Sequence, residues 1–197
     1  MKSVLISIRP EWVGKITSGK KTIEVRKSAP KEVPFKAYIY CTKDKPYMLT
    51  FAGNGKMRVH NGMVIGEFIC DKVFLLRPYA YDGGNADLGY RKLIQTFDGQ
   101  SNVIKILSAT CLSQNEMFDY IGVGNYGYGW HISDLKIYDK PKKLSEFYRP
   151  CSYSGICYSC NRFRPNGTSN DKPNDFCDGE ITRPPRSWQY VEELENG

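Results

Sequence analysis

The sequence predicts an α+β, mainly β protein, a β-barrel with flanking short helices and a cysteine-rich C-terminal appendage. Three observations carry that expectation. Apolar and β-branched residues recur with period two in many short runs, the pattern of half-buried strands. Helical spacing is confined to a few short stretches, without the repeated long helices of parallel β-α-β units. From Cys151 onward the composition shifts to Cys, Gly, Asn, Pro and Ser, with few aliphatic residues to build a core.

The elements follow in order. Lys2 to Ile8 alternates around Val4, Ile6 and Ile8 and reads as a first strand. Arg9-Pro10 ends it, and Pro suits a helix start because its missing N–H is not needed there. Glu11 favours the first turn, and Trp12, Val13 and Ile16 form one apolar face, so Pro10 to Ser18 is a short helix. Ser18-Gly19 stops it, since glycine takes the left-handed conformation at least cost. Thr22 to Arg26 then alternates as a strand, Ile23 and Val25 on one face and Thr22, Glu24 and Arg26 on the other, with Lys21 at its entrance.

Phe35 to Thr42 is an aromatic and β-branched strand. Tyr47 to Phe51 and Lys56 to His60 form a hairpin over Gly53-Asn54-Gly55. Met63 to Leu76 is the longest β-rich run, and Gly66 within it marks a bulge or a close backbone approach. Residues 78–84 read as a loop, and residues 85–98 carry weak helical spacing. Val103 to Leu107 fits strand or helix equally. Ser113 and Glu116 form a capping box ahead of Met117, Tyr120 and Ile121 at helical spacing. Residues 122–129, rich in glycine and tyrosine, read as a loop, and Trp130 to Tyr138 as a closing strand ended by Pro141. Trp188, Tyr190 and Val191 are expected to dock back on the body as an edge strand, while the Thr182-Arg-Pro-Pro-Arg186 stretch has the residues to contact phosphates.

At 197 residues, 41% hydrophobic and 25% charged, the chain has the composition of a soluble globular protein. No run approaches the roughly 18 apolar residues of a membrane span. The N-terminus reads as a strand rather than a signal peptide, so a cytoplasmic location is expected, with cysteines reduced or metal-bound. The net charge of +7 is uneven: residues 151–197 hold seven acidic and five basic side chains, leaving +9 on the first 150. A basic body of this size suits a polyanion such as nucleic acid, although lysine excess also serves solubility.

The spacing Gly19-x-Lys21-x-x-Glu24-x-Arg26, preceded by a strand and a short helix, resembles the signature of the ASCH domain family, within the PUA-like superfamily of β-barrels. Val64-Ile-Gly-Glu67 and Trp130-x-Ile-Ser-Asp134 fit the same pattern, and the resemblance spans about residues 3–147, with insertions around 44–60 and 79–125. It implies a PUA-like barrel that binds RNA or a modified nucleoside or nucleotide in a cleft faced by Lys21, Glu24, Arg26 and Glu67. Some small members resemble amidohydrolases that deacylate acetylated cytidine with a lysine, a threonine and a glutamate. Lys21 and Glu67 match the first and third, and Glu24 stands where the threonine is expected. Other members look like ribonucleases, and Glu24, Lys21 and Arg26 are the acid-base and cationic types that such cleavage needs.

The catalytic candidates, if the chain is an enzyme, are therefore Lys21, Glu24 and Glu67. The ligand-binding candidates are Arg9, Trp12, Lys21, Thr22, Glu24 and Arg26. Arg9, Trp12, Arg26 and the tyrosines of 79–81 and 126–128 have the chemistry of a stacking and phosphate-contacting rim. A Lys/Glu/Arg salt-bridge network that only pins the helix to the barrel is the competing reading. His60 and His131 read as structural, and Cys41, Cys70 and Cys111 as small buried hydrophobes.

Cys151, Cys157, Cys160 and Cys177 include a Cys-x2-Cys pair, and four thiolates complete a tetrahedral zinc site. Zinc is the expected cofactor there, in a structural role, with disulfides or free thiols as alternatives. The expected organisation is a barrel domain over 1–147, a cysteine-rich metal-binding insertion over 148–180, and a segment over 181–197 packing back on the barrel. A protein-interaction adaptor working through the zinc tail is the remaining function class.

Overall fold

The computed structural model describes residues 1–47, 49–51, 57–81, 91–96, 103–150, 155–157, 162–164 and 179–194. The chain starts with β1 (Ser3–Ile8) and α1 (Pro10–Thr17), then β2 (Ile23–Arg26) and β3 (Phe35–Cys41). The hairpin β4 (Leu49–Phe51) and β5 (Met57–Val59) follows, then β6 (Val64–Cys70), β7 (Val73–Tyr81) and β8 (Arg91–Thr96). Helices α2 (Val103–Thr110) and α3 (Gln114–Ile121) lead into β9 (Gly127–His131) and β10 (Ser133–Lys142). A second hairpin, β11 (Gly155–Cys157) with β12 (Arg162–Arg164), precedes the last strand β13 (Trp188–Val191).

Two open sheets replace the expected barrel. One has five strands in the order β10-β6-β3-β1-β13, the other four in the order β2-β9-β7-β8. Among the described residues no ladder joins them, so β10 and β13 are edges of one sheet, and β2 and β8 of the other. β1 and β3 pair in parallel, with α1 and β2 in the connection between them. The sequence pattern hides this unit because its helix is only eight residues long.

Alternation explains the layering. Val4, Ile6 and Ile8 point into a core with Val13 and Ile16 of α1, Ala37, Ile39 and Cys41 of β3, and Trp130. Leu5 and Tyr38, one position out of phase, face the opposite side with Phe147, Ile181 and Val191. All six residues of β1 are buried, as expected of a strand covered on both faces. A third cluster packs α2 and α3 against the second sheet through Ile106, Met117 and Ile121, meeting Ile23, Val25, Leu76 and Ile94.

Several elements depart from the sequence reading. The run 63–76 breaks at Asp71 and Lys72, so β6 belongs to one sheet and β7 to the other. β7 continues through residues 78–81, and the stretch with weak helical spacing holds β8, which pairs antiparallel with β7. Residues 127–129 are strand rather than loop. Their glycines serve packing, since a Cβ on Gly127 would run into the Ile121 side chain and one on Gly129 would lie 3.0 Å from Ile23 Cγ2. The expected closing strand divides into β9 and β10 in separate sheets, parted at Ile132. The ambiguous stretch at Val103 is the start of α2.

Other readings hold. Gly66 lies where β6 meets a shifted register, and a Cβ there would collide with the Lys136 carbonyl. The capping box on α3 is complete. β13 docks antiparallel on the outside of β1, with Ile6 opposite Trp188. No described helix is long and apolar enough to cross a membrane. Cys151, Cys160 and Cys177 lie outside the described residues, as does the side chain of Cys157 at the end of β11.

Candidate functional site

Gly19, at φ 72°, ends α1 and turns the chain into β2. Lys21 N donates to Lys15 O and Thr22 N to Ala109 O, both at 2.9 Å, so this entrance is held from two sides. β2 pairs antiparallel with β9, placing Glu24 opposite Trp130 and Arg26 opposite Tyr128. With Ile23 and Val25 facing the α2/α3 core, Glu24 and Arg26 are directed to the other side of the strand.

There they meet Lys21. Its Nζ donates to Thr110 O at 2.7 Å and stands 3.3 Å from Glu24 Oε2. Arg26 Nη2 is 3.0 Å from Glu24 Oε1 and donates to Ser7 O at 2.6 Å. Lys21 is 3% exposed, Glu24 6% and Arg26 9%, so three full charges are buried together with a surplus of one positive. Such a group is tolerable only because every charge has a partner. Pairing is incomplete at the atomic level. Glu24 Oε2 and Arg26 Nε are buried without an aligned hydrogen bond, the approach of Lys21 to that oxygen being an ion-pair contact off the hydrogen-bonding direction. Burial lowers the Lys21 pKa, and neighbouring Arg26 adds to the effect, while the Glu24 charge opposes it.

The cluster forms part of the wall of a cavity of about 970 Å³. Trp12 and Arg9 from the start of α1 line it, together with Tyr40 from β3 and Tyr120 from α3. The Trp12 ring centroid is 5.1 Å from Lys21 Nζ and 4.3 Å from Lys15 Nζ. The lining carries five cations, Arg9, Lys21, Arg26, Lys43 and Arg186, and five carboxylates, Glu11, Glu24, Asp44, Glu116 and Asp119. Half of the twenty lining residues are thus charged, with the two signs in balance.

The sequence-predicted residues divide accordingly. Arg9, Trp12, Lys21, Glu24 and Arg26 are brought together. Thr22 is exposed and does not line the cavity. Glu67 is absent from the lining as well: the register sets it opposite Tyr38, and its Oε2 accepts from the Tyr138 hydroxyl at 2.5 Å. Desolvation, followed by this contact, raises the Tyr138 pKa strongly. The expected tyrosine rim is not formed by Tyr79, Tyr126 or Tyr128, none of which lines the cavity. Tyr126 stands against Arg77 instead, 5.8 Å from ring centroid to guanidinium.

Sequence reasoning missed Ser7, Tyr40 and Tyr120 as lining residues. Ser7 was legible as the polar interruption of the first strand, but not as a hinge between distant segments. Pro184, Pro185 and Arg186, from the stretch read as able to contact phosphates, line the cavity as well. Of the histidines, His131 Nδ1 is 2.6 Å from Asp71 Oδ1, and this hydrogen bond holds the Asp71 carboxyl below its usual value. Burial pushes the Cys41 thiol up to about 11 and the Cys70 thiol up to about 12, so both are inert at neutral pH.

Fold and site thus define a two-sheet α+β protein with a cavity of about 970 Å³ walled in part by a buried Lys–Glu–Arg cluster. Among solved structures, the chain is similar to the ASCH protein of Zymomonas mobilis, at 20% identity over 73% of this chain and 74% of that one, with a TM-score of 0.44. It is also similar to two mutant forms of that protein. One is 19% identical over 73% of this chain and 77% of that one, TM-score 0.44; the other is 17% identical over 98% and 89%, TM-score 0.49. No protein-family model and no curated protein matches the chain.

Proposed function

We propose that the chain is an ASCH-type module that binds RNA or a modified nucleotide, taking one nucleoside-sized unit into the cavity beside Lys21, Glu24 and Arg26. The observation that carries this reading is the cavity of about 970 Å³, in whose wall Lys21, Glu24 and Arg26 stand together with Trp12. A nucleobase edge presents donors and acceptors side by side, the pattern that a wall carrying both a carboxylate and guanidinium groups can answer. Trp12 supplies an aromatic face beside it. The balanced charge of the lining favours a single unit over a long run of phosphates, which needs an unbroken cationic track.

A second reading, hydrolysis of an acylated nucleoside, is supported by Lys21, whose lowered pKa suits proton transfer nearer neutrality. It retains Lys21 and Glu24 but not Glu67, which is engaged with Tyr138. The cysteine-rich segment is proposed to hold a structural zinc. Titration of ribonucleosides and short RNA into the wild type and Glu24→Gln tests the first reading. Binding that is lost with Glu24 supports it, and unchanged binding in the variant overturns it. Release of acetate from acetylcytidine, or RNA cleavage dependent on Lys21, would replace it with the second.

A further inference from the structure

The wall of the cavity includes a segment remote in sequence from the Lys–Glu–Arg motif. Pro184, Pro185 and Arg186 lie just ahead of β13 and are pinned from several directions. Ser7 Oγ donates to Pro185 O at 2.7 Å, and Ser7 N donates to Ser187 O at 3.0 Å. One residue on, Trp188 Nε1 donates to Ser28 Oγ at 3.0 Å, and its ring packs edge-on against Trp130 and Tyr190, at 5.7 and 5.4 Å between centroids. Two adjacent prolines fix φ twice, so the strap is ordered before any ligand arrives.

The register sets the position of Arg186. β13 runs antiparallel to β1 with Ile6 opposite Trp188, and the Ser7–Ser187 bond continues that alignment. Arg186 therefore comes level with the Ile8–Arg9 end of β1, and Arg9 and Arg186 stand at the same end of the cavity. Both are exposed, and neither forms an ion pair with another described residue. Several carboxylates of the lining are already engaged: Glu24 between Lys21 and Arg26, Glu116 with Ser113 N, and Asp44 with the Thr42 hydroxyl. Arg9 and Arg186 are therefore two guanidinium groups at this end free of a carboxylate partner among the described residues.

We propose that Arg9 and Arg186 form a phosphomonoester subsite, so that the cavity takes a mononucleotide in preference to a nucleoside or an interior stretch of RNA. This rests on the reading that the base end of the ligand meets Glu24 and Arg26. Two guanidinium groups match the charge of a dianionic monoester and its bidentate geometry, whereas an internal phosphodiester offers one charge. Arg186 acts as the specificity residue, and Ser7 positions it: the carbonyl of Ser7 holds Arg26 and its hydroxyl holds the strap.

The test is calorimetric titration of the four ribonucleosides, their 5′-monophosphates and an RNA tetranucleotide, into the wild type, Arg186→Gln and Glu24→Gln. The expected result is a preference of roughly tenfold for a monophosphate over its nucleoside, the size of one charge-assisted contact. Arg186→Gln removes that preference by lowering monophosphate affinity roughly tenfold more than nucleoside affinity, and Arg9→Gln does so in part. Equal affinities in the wild type, or a preference that survives Arg186→Gln, overturn the subsite while leaving the cavity reading intact if nucleosides still depend on Glu24. Tightest binding to the tetranucleotide overturns it in favour of a polymer. If neither nucleosides nor monophosphates bind, both readings fall.

Discussion

Lys21 Nζ stands 3.3 Å from Glu24 Oε2, yet that oxygen accepts no aligned hydrogen bond. One carboxylate thus serves two buried cations without being saturated. The cluster is asymmetric: removing Glu24 strands two positive charges, while removing Lys21 leaves the Glu24–Arg26 pair at 3.0 Å. Breaking a buried pair by deleting one partner costs about 3–5 kcal/mol. Glu24→Gln should therefore destabilise the protein by roughly that amount. Lys21→Met should cost only about 1–2 kcal/mol, mainly for the Thr110 carbonyl left without its donor. Denaturant unfolding of both variants measures the difference. Equal costs would show that the three charges do not act as one cluster.

The same burial makes stability depend on alkaline pH. Lys21 has a folded-state pKa below its ordinary 10.5, first because it is desolvated, with Glu24 resisting the shift. Between the two values the unfolded chain binds the extra proton, so stability must rise with pH across that window. Below the folded-state pKa both states are protonated, and the cost of burying the charge is fully present. The wild-type minus Lys21→Met difference in unfolding free energy should accordingly move in favour of the wild type as pH approaches 10.5. A flat difference over the alkaline range would mean that Lys21 titrates as an exposed lysine does.

Gly127 tests the packing of the second sheet. Its missing side chain makes room for Ile121, whose Cγ1 would lie 2.8 Å from a Cβ at that position. Gly127→Ala should therefore cost about 1–3 kcal/mol, the usual penalty for overpacking. Shortening the neighbour in the same chain, Gly127→Ala with Ile121→Val, should recover part of it. Thermal unfolding of the single and double variants reads this out, and an additive loss in the double variant would refute the contact as the cause.

Gly127 also shows why part of the fold was not legible. A run of glycines and tyrosines reads as loop because propensity counts the glycine but not the side chain that needs its space. β8 was misread for a related reason: its place beside β7 depends on a partner strand that local spacing does not contain. The cavity divides in the same way. Lys21, Glu24 and Arg26 lie within six residues of one another and are visible as a motif, and Arg9 and Trp12 precede them closely. Ser7, Tyr40 and Tyr120 are ordinary residues until the sheets bring them together. Glu67 is the converse case, a carboxylate on a neighbouring strand whose register turns it toward Tyr138.

The cysteine-rich segment yields the last prediction. Tyr148 and Glu180 form an isolated antiparallel bridge, and Arg149 N donates to Gly179 O at 2.7 Å. The two ends of residues 151–178 therefore leave and rejoin the body at one place. Within the segment β11 and β12 pair antiparallel, with Cys157 opposite Arg162. The four cysteines of the segment, Cys151, Cys157, Cys160 and Cys177, are proposed to hold one zinc. Elemental analysis of the purified chain should give about one zinc per molecule, lost in Cys157→Ser and on chelation. Because the ends are already joined, replacing 151–178 by a short Gly-Ser linker should change global stability by less than about 2 kcal/mol, closing a shorter loop being no costlier than closing a longer one. It should also leave the Pro184–Arg186 strap and nucleoside binding in place. Loss of cooperative unfolding in the linker variant would mean that the metal segment supports the sheets rather than extending from them, and a metal-free wild type would remove the zinc assignment.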